Sequence, residues 1–573
     1  MTYFFETYGC EMNIAESASI EQILISRGWK KALSAQLCDM VIINTCSVRA
    51  TAETRIFGRL GFYAGLKKVR NAAPDAKTRS MEEAAAYVEK NGPVPLTVVV
   101  MGCMAERLLK SLQKDFPVVD YVVGTYAKNK FGDIISAVEE GKSPVPIEED
   151  PVYTFAPVSY EEGAFSTFVP IMHGCNNFCT YCIVPYVRGR EVSRPVDEIL
   201  AELDVLSSRG VKEITLLGQN VNSYRGAVSK GVVSSADGAD VGTSDTANAN
   251  STLVGATASG TANADQAPVS VTGGAYADGA TVGVTGDASA NGTPVNTTNT
   301  ANRAPVSATA NSTPVSATVT GNASANNANS TPITFPQLLQ TICAHIEKTA
   351  SPIRWIRFES SNPKDFSDEL IETIAQSAKR AEENPESPTI CRGLHIAVQH
   401  GSSRILKLMN RRYTREAYLE LVKKIREKIP GIQLSTDIML GFPGESEEDF
   451  EEAYSLMKEV RYESAFMYYF NPREGTPAAK MDGQIDLETK KDRLQKIIDL
   501  QLKITTDVMQ ERVGKTITVL ADIISRDDKT ELLGKTEQNE RVAFKGKPSL
   551  IGHFVKVHLD SLNGNTFRGT LIE

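Results

Sequence analysis

Three cysteines fall within one nine-residue stretch, Gly174-Cys175-Asn176-Asn177-Phe178-Cys179-Thr180-Tyr181-Cys182, with three residues and then two between them. Thiolates this close cannot all pair off among themselves, and a tight thiolate set holds zinc or an iron–sulfur cluster. Structural zinc takes four ligands, and no fourth cysteine or ligating histidine follows nearby. A four-iron cluster held by three cysteines leaves one iron open to a small molecule, which is a catalytic arrangement. A zinc knuckle completed by His173 or by a distant residue is the alternative.

A second set of three cysteines follows from strand polarity. Tyr3-Phe4-Phe5-Glu6-Thr7-Tyr8-Gly9-Cys10, Met40-Val41-Ile42-Ile43-Asn44-Thr45-Cys46 and Leu96-Thr97-Val98-Val99-Val100-Met101-Gly102-Cys103 share one grammar: an extended apolar run, a terminal cysteine, then a helical pattern such as Ile14 to Arg27. β-branched runs separated by helices read as buried parallel strands with crossovers. Parallel strands put their carboxyl ends on one edge, where open α/β sheets bind ligands. Cys10, Cys46 and Cys103 are therefore expected to converge on a shared metal site. Cys38, Cys343 and Cys391 follow no such pattern and read as structural. Tyr63 to Pro95 is longer and more polar than a crossover needs and reads as a local elaboration. Asp120 to Gly124 reads as a further strand, and the proline-bearing Ser143 to Pro157 as an interdomain linker.

The elements that must position Cys175, Cys179 and Cys182 come next. Phe165 to Met172 reads as a strand delivering the cysteine loop. Extended runs recur at Glu213 to Leu217, Ile353 to Phe358, Leu394 to Val398, Ile432 to Ile438 and Ser464 to Phe470. Between them lie amphipathic patterns at Val196 to Ser208, Phe366 to Ala378, Arg415 to Ile429 and Glu447 to Val460. Six strands alternating with helices make a parallel sheet, either open or curved into a partial barrel. Residues 225–331 interrupt it with a tract of Ala, Gly, Ser, Thr, Asn and Val that carries one aromatic residue, Tyr276. Such a tract cannot bury enough apolar area to offset the entropy of ordering. It is expected to form a disordered loop, which a barrel tolerates because closure entropy grows slowly with length. From about Glu511 short alternating runs at Thr516 to Ile524, Glu531 to Leu533, Arg541 to Phe544, Phe554 to Leu559 and Thr566 to Leu571 predict a small β-barrel.

The chain has 573 residues, 41% of them hydrophobic, enough for several cores. No apolar run of about 18 residues and no basic-then-apolar N-terminus points to a membrane span or secretory signal, so a cytoplasmic protein is expected. In a reducing compartment nine cysteines are more often metal ligands than bridges. A net charge of −9 neither argues for nor excludes a local basic surface for nucleic acid.

Cys175, Cys179 and Cys182 resemble the CxxxCxxC of radical S-adenosylmethionine enzymes, and the wider run from Gly174 to Pro195, GCNNFCTYCIVPYVRGREVSRP, resembles the methylthiotransferase family within them. YGCEMN, NTCSVR and MGCMAE match that family's auxiliary-cluster ligands at Cys10, Cys46 and Cys103. The resemblance implies an N-terminal α/β domain (1–142), a linker (143–164), a partial (βα)6 radical-SAM barrel (165–507) and a C-terminal TRAM-like barrel (508–573). It implies two 4Fe-4S clusters and S-adenosylmethionine, two molecules per turnover. Gly218, Gln219 and Asn220 match where the family approaches the cosubstrate's amino-acid end, and Gly441 and Gly444 its late glycine-rich motif; either run alone is an ordinary βα turn. Arg188, Arg190 and Arg194 could meet cosubstrate carboxylate or RNA phosphate. Lys545, Lys547 and Lys556 are candidate phosphate contacts. Surface solubility or ion pairing is the plain alternative for each basic residue.

The chemistry implied is hydrogen removal from an aromatic carbon such as C2 of a purine. No side-chain base takes that proton and hydride leaves poorly, so a radical is called for, supplied by the cofactor while the protein positions it. The second cluster could present sulfur, methylated by another S-adenosylmethionine. NTCSVR and YCIVPY most resemble the branch that acts on N6-isopentenyladenosine beside the tRNA anticodon (position 37), a base exposed in a loop, converting it to the 2-methylthio derivative. Threonylcarbamoyladenosine in tRNA and an aspartate of a ribosomal protein are the runner-up substrates, against which Ser47 weighs. A non-enzymatic iron–sulfur RNA-binding sensor and a zinc-stabilised RNA-binding protein are readings of another class. The expected partners are tRNA, a sulfur donor and a reducing electron donor, with no membrane, for a monomer.

Overall fold

A computed structural model describes residues 1–47, 50–70, 95–142, 144–147, 153–156, 158–227 and 332–572. The N-terminal part is a five-stranded, wholly parallel sheet in the order Lys30–Lys31, Thr2–Thr7, Met40–Thr45, Thr97–Gly102, Tyr121–Val123. Every residue of Met40–Thr45 and Thr97–Gly102 is buried, because helices cover both faces; this is why those strands read as unbroken apolar runs. Val41, Ile43, Val98 and Val100 pack on one face with Ile56, Leu60, Tyr63 and Leu66. Ile42, Val99 and Met101 pack on the other with Ile20, Leu24, Phe131 and Ile134.

The expected elaboration from Tyr63 is corrected at its start. Tyr63 lies inside the crossover helix Ala50–Arg70 and is fully buried, as are Leu66 and, nearly, Val69. The polar residues between them face outward and disguised the apolar stripe. Residues 71–94 of that stretch lie outside the described residues.

Six strand segments in chain order form the central sheet, all parallel. Ser166–Pro170, Glu213–Leu217 and Trp355–Phe358 are neighbours. The fourth segment is bent: Thr389–Ile390 pairs with Trp355–Phe358, and Gly393–His395 pairs with Gln433–Leu440. Ser464–Tyr469 completes the set, and a parallel bridge from Ser361 to Ile396 carries the curvature across the bend. The main core lies between these strands and the outer helices, with Ile214, Leu216, Ile356, Phe358, Leu394, Leu434 and Ile438 against Leu203, Leu338, Ile371, Val422 and Leu456. The helices Val196–Ser208 and Glu447–Val460 have the expected bounds; the latter opens with a capping box from Ser446 and Asp449.

Arg225–Gly226 pairs antiparallel with Ile333–Thr334. The chain thus leaves and rejoins the barrel at adjacent points, so the first residues of the expected disordered tract are strand; residues 228–331, with the rest of that expectation, lie outside the described residues. The linker is no bare tether either: Tyr153, Ser159 and Tyr160 are buried, and Ser159 N donates to Glu202 (2.7 Å).

The C-terminal strands close into a barrel in the order Thr516–Ile524, Glu531–Thr536, Arg541–Lys545, Thr566–Ile572, Phe554–Asn563. Helix Leu487–Gln510 runs through the expected boundary at 507/508, and its Met509 packs into the barrel core. The module docks where the central strands begin. Arg357 donates to the carbonyls of Glu537 (2.6 Å) and Thr536 (2.8 Å) while pairing with Glu213 (3.0 Å), and Arg392 grips both oxygens of Glu537 (2.7 and 2.8 Å). Burial alone would raise the Glu213 carboxyl, but Arg357 and Lys535 outweigh it and bring it down to about 2. Because the folded value is depressed, the stability this carboxylate contributes is present above the ordinary carboxylate range and is lost as pH falls toward 2. Glu213→Gln leaves Arg357 buried without its partner, and thermal or urea unfolding at neutral pH is expected to show a loss of ~3–5 kcal/mol. An unchanged midpoint would mean the network does not hold the module.

Candidate metal centres

The first centre sits at the carboxyl edge of the N-terminal sheet. Cys46 follows strand Met40–Thr45 directly, Cys103 follows Thr97–Gly102, and Cys10 stands at the head of helix Glu11–Ser26. Cys10 and Cys46 are hydrogen-bonded, and Cys103 lies within electrostatic reach of Cys10. Two glycines make this approach possible. Gly9 has φ +145° and a Cβ there would stand 2.6 Å from Cys46 Cβ; Gly102 has φ +94° and a Cβ there would stand 2.5 Å from Asn44 Oδ1. Only a residue without a side chain fits either place. Asn13 and Asn44 lock the edge from behind: Asn13 Nδ2 donates to Asn44 Oδ1 (2.8 Å) and the Thr45 carbonyl (2.9 Å), and Asn44 Nδ2 returns a bond to the Asn13 carbonyl (2.8 Å).

The second centre is the loop after the first central strand. Gly174 has φ +75° and packs against the Arg190 carbonyl, and Cys175 N donates to the Gly189 carbonyl (3.1 Å), so the loop returns on itself. Two distant segments clamp it. Thr180 N donates to the Met409 carbonyl (3.1 Å), Ala478 N to the Thr180 carbonyl (2.9 Å), and Asn410 Nδ2 to the Phe178 carbonyl (3.0 Å). Arg411, 6% exposed, donates from Nη1 to Cys179 Sγ (3.5 Å). Asn410 and Arg411 escaped the sequence reading because they lie more than two hundred residues beyond the cysteine loop.

The two centres lie where the N-terminal sheet packs on the central strands. Cys103 packs on Ile183, the residue after Cys182, and on Val187; Cys10 packs with Met12 and Ala15 against Leu217 and Phe168 at the end of the central strands. Arg188 bridges them, and its expected contact with RNA is corrected. It is 2% exposed, donates from Nε to Cys103 Sγ (3.1 Å) and from Nη1 to Glu16 (2.7 Å), because the short helix Val184–Val187 turns it toward the N-terminal sheet. Arg194 is likewise buried, paired with Glu202, and does not face solvent. Arg190 is exposed, its guanidinium 4.4 Å over the Phe178 ring. Lys545, Lys547 and Lys556 are all exposed on the C-terminal barrel, Lys556 donating to Thr518 (2.8 Å).

His173 lies behind the cysteine loop, with its Nε2 buried and unpartnered. Its ring stacks on Tyr153 (3.5 Å between centroids) and its Nδ1 lies 3.4 Å from Arg188; burial, with Arg188 and Lys128, holds its pKa well below the usual range. Among the described residues no three His, Cys, Asp or Glu side chains close around a single ion. The chemistry of the donors suits a wider thiophilic group: two sets of three cysteines, none in a disulfide, with a guanidinium N–H on one sulfur of each. Burial pushes the thiols of Cys175 and Cys182 up to about 11 and about 12; a hydrogen bond to Cys46 and burial raise Cys10, and burial raises Cys103 against the pull of Arg188. Metal binding would release these protons.

At the carboxyl end of Glu213–Leu217, Gln219 Oε1, Asn220 Oδ1 and Asn222 Nδ2 are buried without partners, a cluster of unmet polar atoms that a polar ligand would satisfy. Gly218 abuts Met172. Gly441 (φ +66°) permits the close approach of Lys490, and Gly444 N bonds the Gly483 carbonyl (2.8 Å), while Glu445 fixes that turn to Arg493 (2.8 Å).

Three family models match: Uncharacterized protein family UPF0004 over residues 2–124, the Radical SAM superfamily over 169–248 and 331–457, and the TRAM domain over 510–572. A tRNA-2-methylthio-N(6)-dimethylallyladenosine synthase of Treponema pallidum subsp. pallidum is 42% identical over 586 residues, spanning 100% of this chain and 99% of its own. The chain belongs to that synthase family. Another member, from Treponema denticola, is 41% identical with 100% of both chains covered, and one from Bacteroides thetaiotaomicron is 35% identical over 99% of this chain and 95% of its own. Among solved structures, a radical S-adenosylmethionine methyltransferase from Kitasatospora setae gives a TM-score of 0.44 at 12% identity, over 83% of this chain and 77% of that one. Among the described residues no helix is long and apolar enough to cross a membrane.

Proposed function

We propose that the chain inserts a methylthio group at C2 of N6-isopentenyladenosine next to the anticodon (position 37) of tRNA, giving the 2-methylthio derivative. The observation that carries the reading is the packing of the two cysteine sets toward each other, Cys103 against Ile183 and Cys10 against Leu217. Cys175, Cys179 and Cys182 would hold a 4Fe-4S cluster with one open iron, and Cys10, Cys46 and Cys103 an auxiliary one. When bound, these groups with S-adenosylmethionine supply a radical able to take an aromatic hydrogen, and a source of sulfur to replace it. Gln219, Asn220 and Asn222 would bind and orient the polar end of S-adenosylmethionine through their unmet atoms. Helix Glu11–Ser26 packs on the ends of the central strands through Met12 and Ala15, and would limit the access of water to the cysteine sets. Arg190, Lys545, Lys547 and Lys556 would contact phosphates. A sulfur donor and a reducing electron donor complete the reaction, in the cytoplasm.

The test is incubation of the reconstituted protein with S-adenosylmethionine, a reductant and isopentenylated tRNA, followed by mass analysis of nucleosides. The expected product carries one methylthio group in place of one hydrogen on the isopentenylated base. Unaltered isopentenyladenosine beside a normally modified control would reject the assignment.

A further inference from the structure

Each cysteine set carries one buried arginine whose guanidinium donates to a cysteine sulfur. Arg188 comes from the flank of the central cysteine loop yet reaches the sulfur of Cys103 on the N-terminal sheet. Arg411 comes from the segment after helix Ser403–Leu408 and reaches Cys179. Burying a guanidinium is costly unless its charge and donors are met. Arg188 and Lys128 both pair with the one carboxylate of Glu16, which leaves this trio with a surplus positive charge facing Cys103. The other donors of Arg411 go to neutral acceptors, the Ala397 carbonyl (2.6 Å) and the Tyr413 hydroxyl (2.9 Å). In both places the atom that can supply the missing negative charge is a cysteine sulfur.

The backbone around Arg411 is shaped for this. Asn410 has φ +59° and Arg412 φ +62°, a region non-glycine residues seldom adopt, and strain of this kind persists where a side chain must be held in one direction. Here the two turns direct Arg411 inward and let Asn410 hold the loop carbonyls of Phe178 and Asn177.

We infer that Arg188 and Arg411 are dedicated positioning residues, one per cysteine set, each fixing the charge and so the reduction potential of the cluster that its set holds. This rests on the function proposed above. An N–H on a ligand sulfur and a buried positive charge both favour the more negative, reduced cluster, and hydrogen bonds to sulfur are an established lever on potential. Arg188 also makes the auxiliary centre a joint product of two domains, since the central domain supplies the donor.

The experiment uses the full-length chain, reconstituted anaerobically, in two backgrounds: one with Cys175, Cys179 and Cys182 changed to alanine, the other with Cys10, Cys46 and Cys103 changed to alanine. Arg188→Gln and Arg411→Gln are introduced into each, and the remaining cluster is titrated by paramagnetic resonance. Arg188→Gln is expected to lower the midpoint only where the auxiliary cluster remains, and Arg411→Gln only where the central one does. At the unsubstituted midpoint the ratio of oxidised to reduced cluster should rise at least about tenfold, equivalent to ~59 mV for one electron. Lysine at either position keeps the charge and should shift the midpoint less; it supplies the reading if glutamine costs the cluster its iron. Unmoved midpoints at full iron content, or one variant shifting both clusters equally, would overturn the inference. Backgrounds that hold no iron at all would overturn the proposed function instead.

Discussion

Replacing Cys10, Cys46 and Cys103 together with alanine is expected to abolish methylthio transfer while leaving reductive cleavage of S-adenosylmethionine intact. The central loop is held by its own contacts, from Gly189, Met409, Asn410 and Ala478, none of which belongs to the N-terminal sheet. Loss of the sulfur-bearing set should therefore spare the radical chemistry. The measurement follows 5′-deoxyadenosine and the modified nucleoside side by side. Expected are near-normal 5′-deoxyadenosine and a fall in methylthiolated product below detection, at least about a thousandfold or ~4 kcal/mol of transition-state stabilisation. Continued methylthiolation would show that the auxiliary set is not the sulfur-delivering site.

The complementary change, Cys175, Cys179 and Cys182 to alanine, is expected to abolish both products. Near Cys103, the charged and titratable side chains Glu16, Arg188, Lys128 and His173 are engaged with one another. An acid–base route through them is not available for a carbon-bound aromatic hydrogen. The fall should again be about a thousandfold or more, with circular dichroism and thermal midpoint close to those of the unsubstituted chain, because the loop is clamped largely by backbone bonds. Residual 5′-deoxyadenosine above the no-enzyme control would contradict the role given to this set.

The two sets were legible in the amino-acid sequence for different reasons. Cys175, Cys179 and Cys182 are local, so spacing alone raised the question of a cluster. Cys10, Cys46 and Cys103 are far apart, yet strand polarity brought them to one edge, and the structure places them there beside Gly9 and Gly102. Arg411 was not legible, since its contact with Cys179 depends on how the loop after Ser403–Leu408 folds back. Arg188 was visible as an arginine but its direction was not: an isolated charged residue is ordinarily solvated, and only the docking of Val184–Val187 onto the N-terminal sheet turns it inward. Tyr63 shows the same limit in a helix, where one polar stretch concealed a buried face. The attachment of the C-terminal barrel, through Arg357, Arg392 and Glu537, joins residues whose proximity no periodicity encodes.

The account stands most directly on the number of clusters per chain. Iron and acid-labile sulfide should be measured after anaerobic reconstitution of the unsubstituted protein and of the chain with Cys175, Cys179 and Cys182 changed to alanine. The expected result is about eight irons per chain falling to about four, matched by sulfide. About four irons falling to nearly none would contradict it, leaving Cys10, Cys46 and Cys103 as close neighbours that hold no cluster.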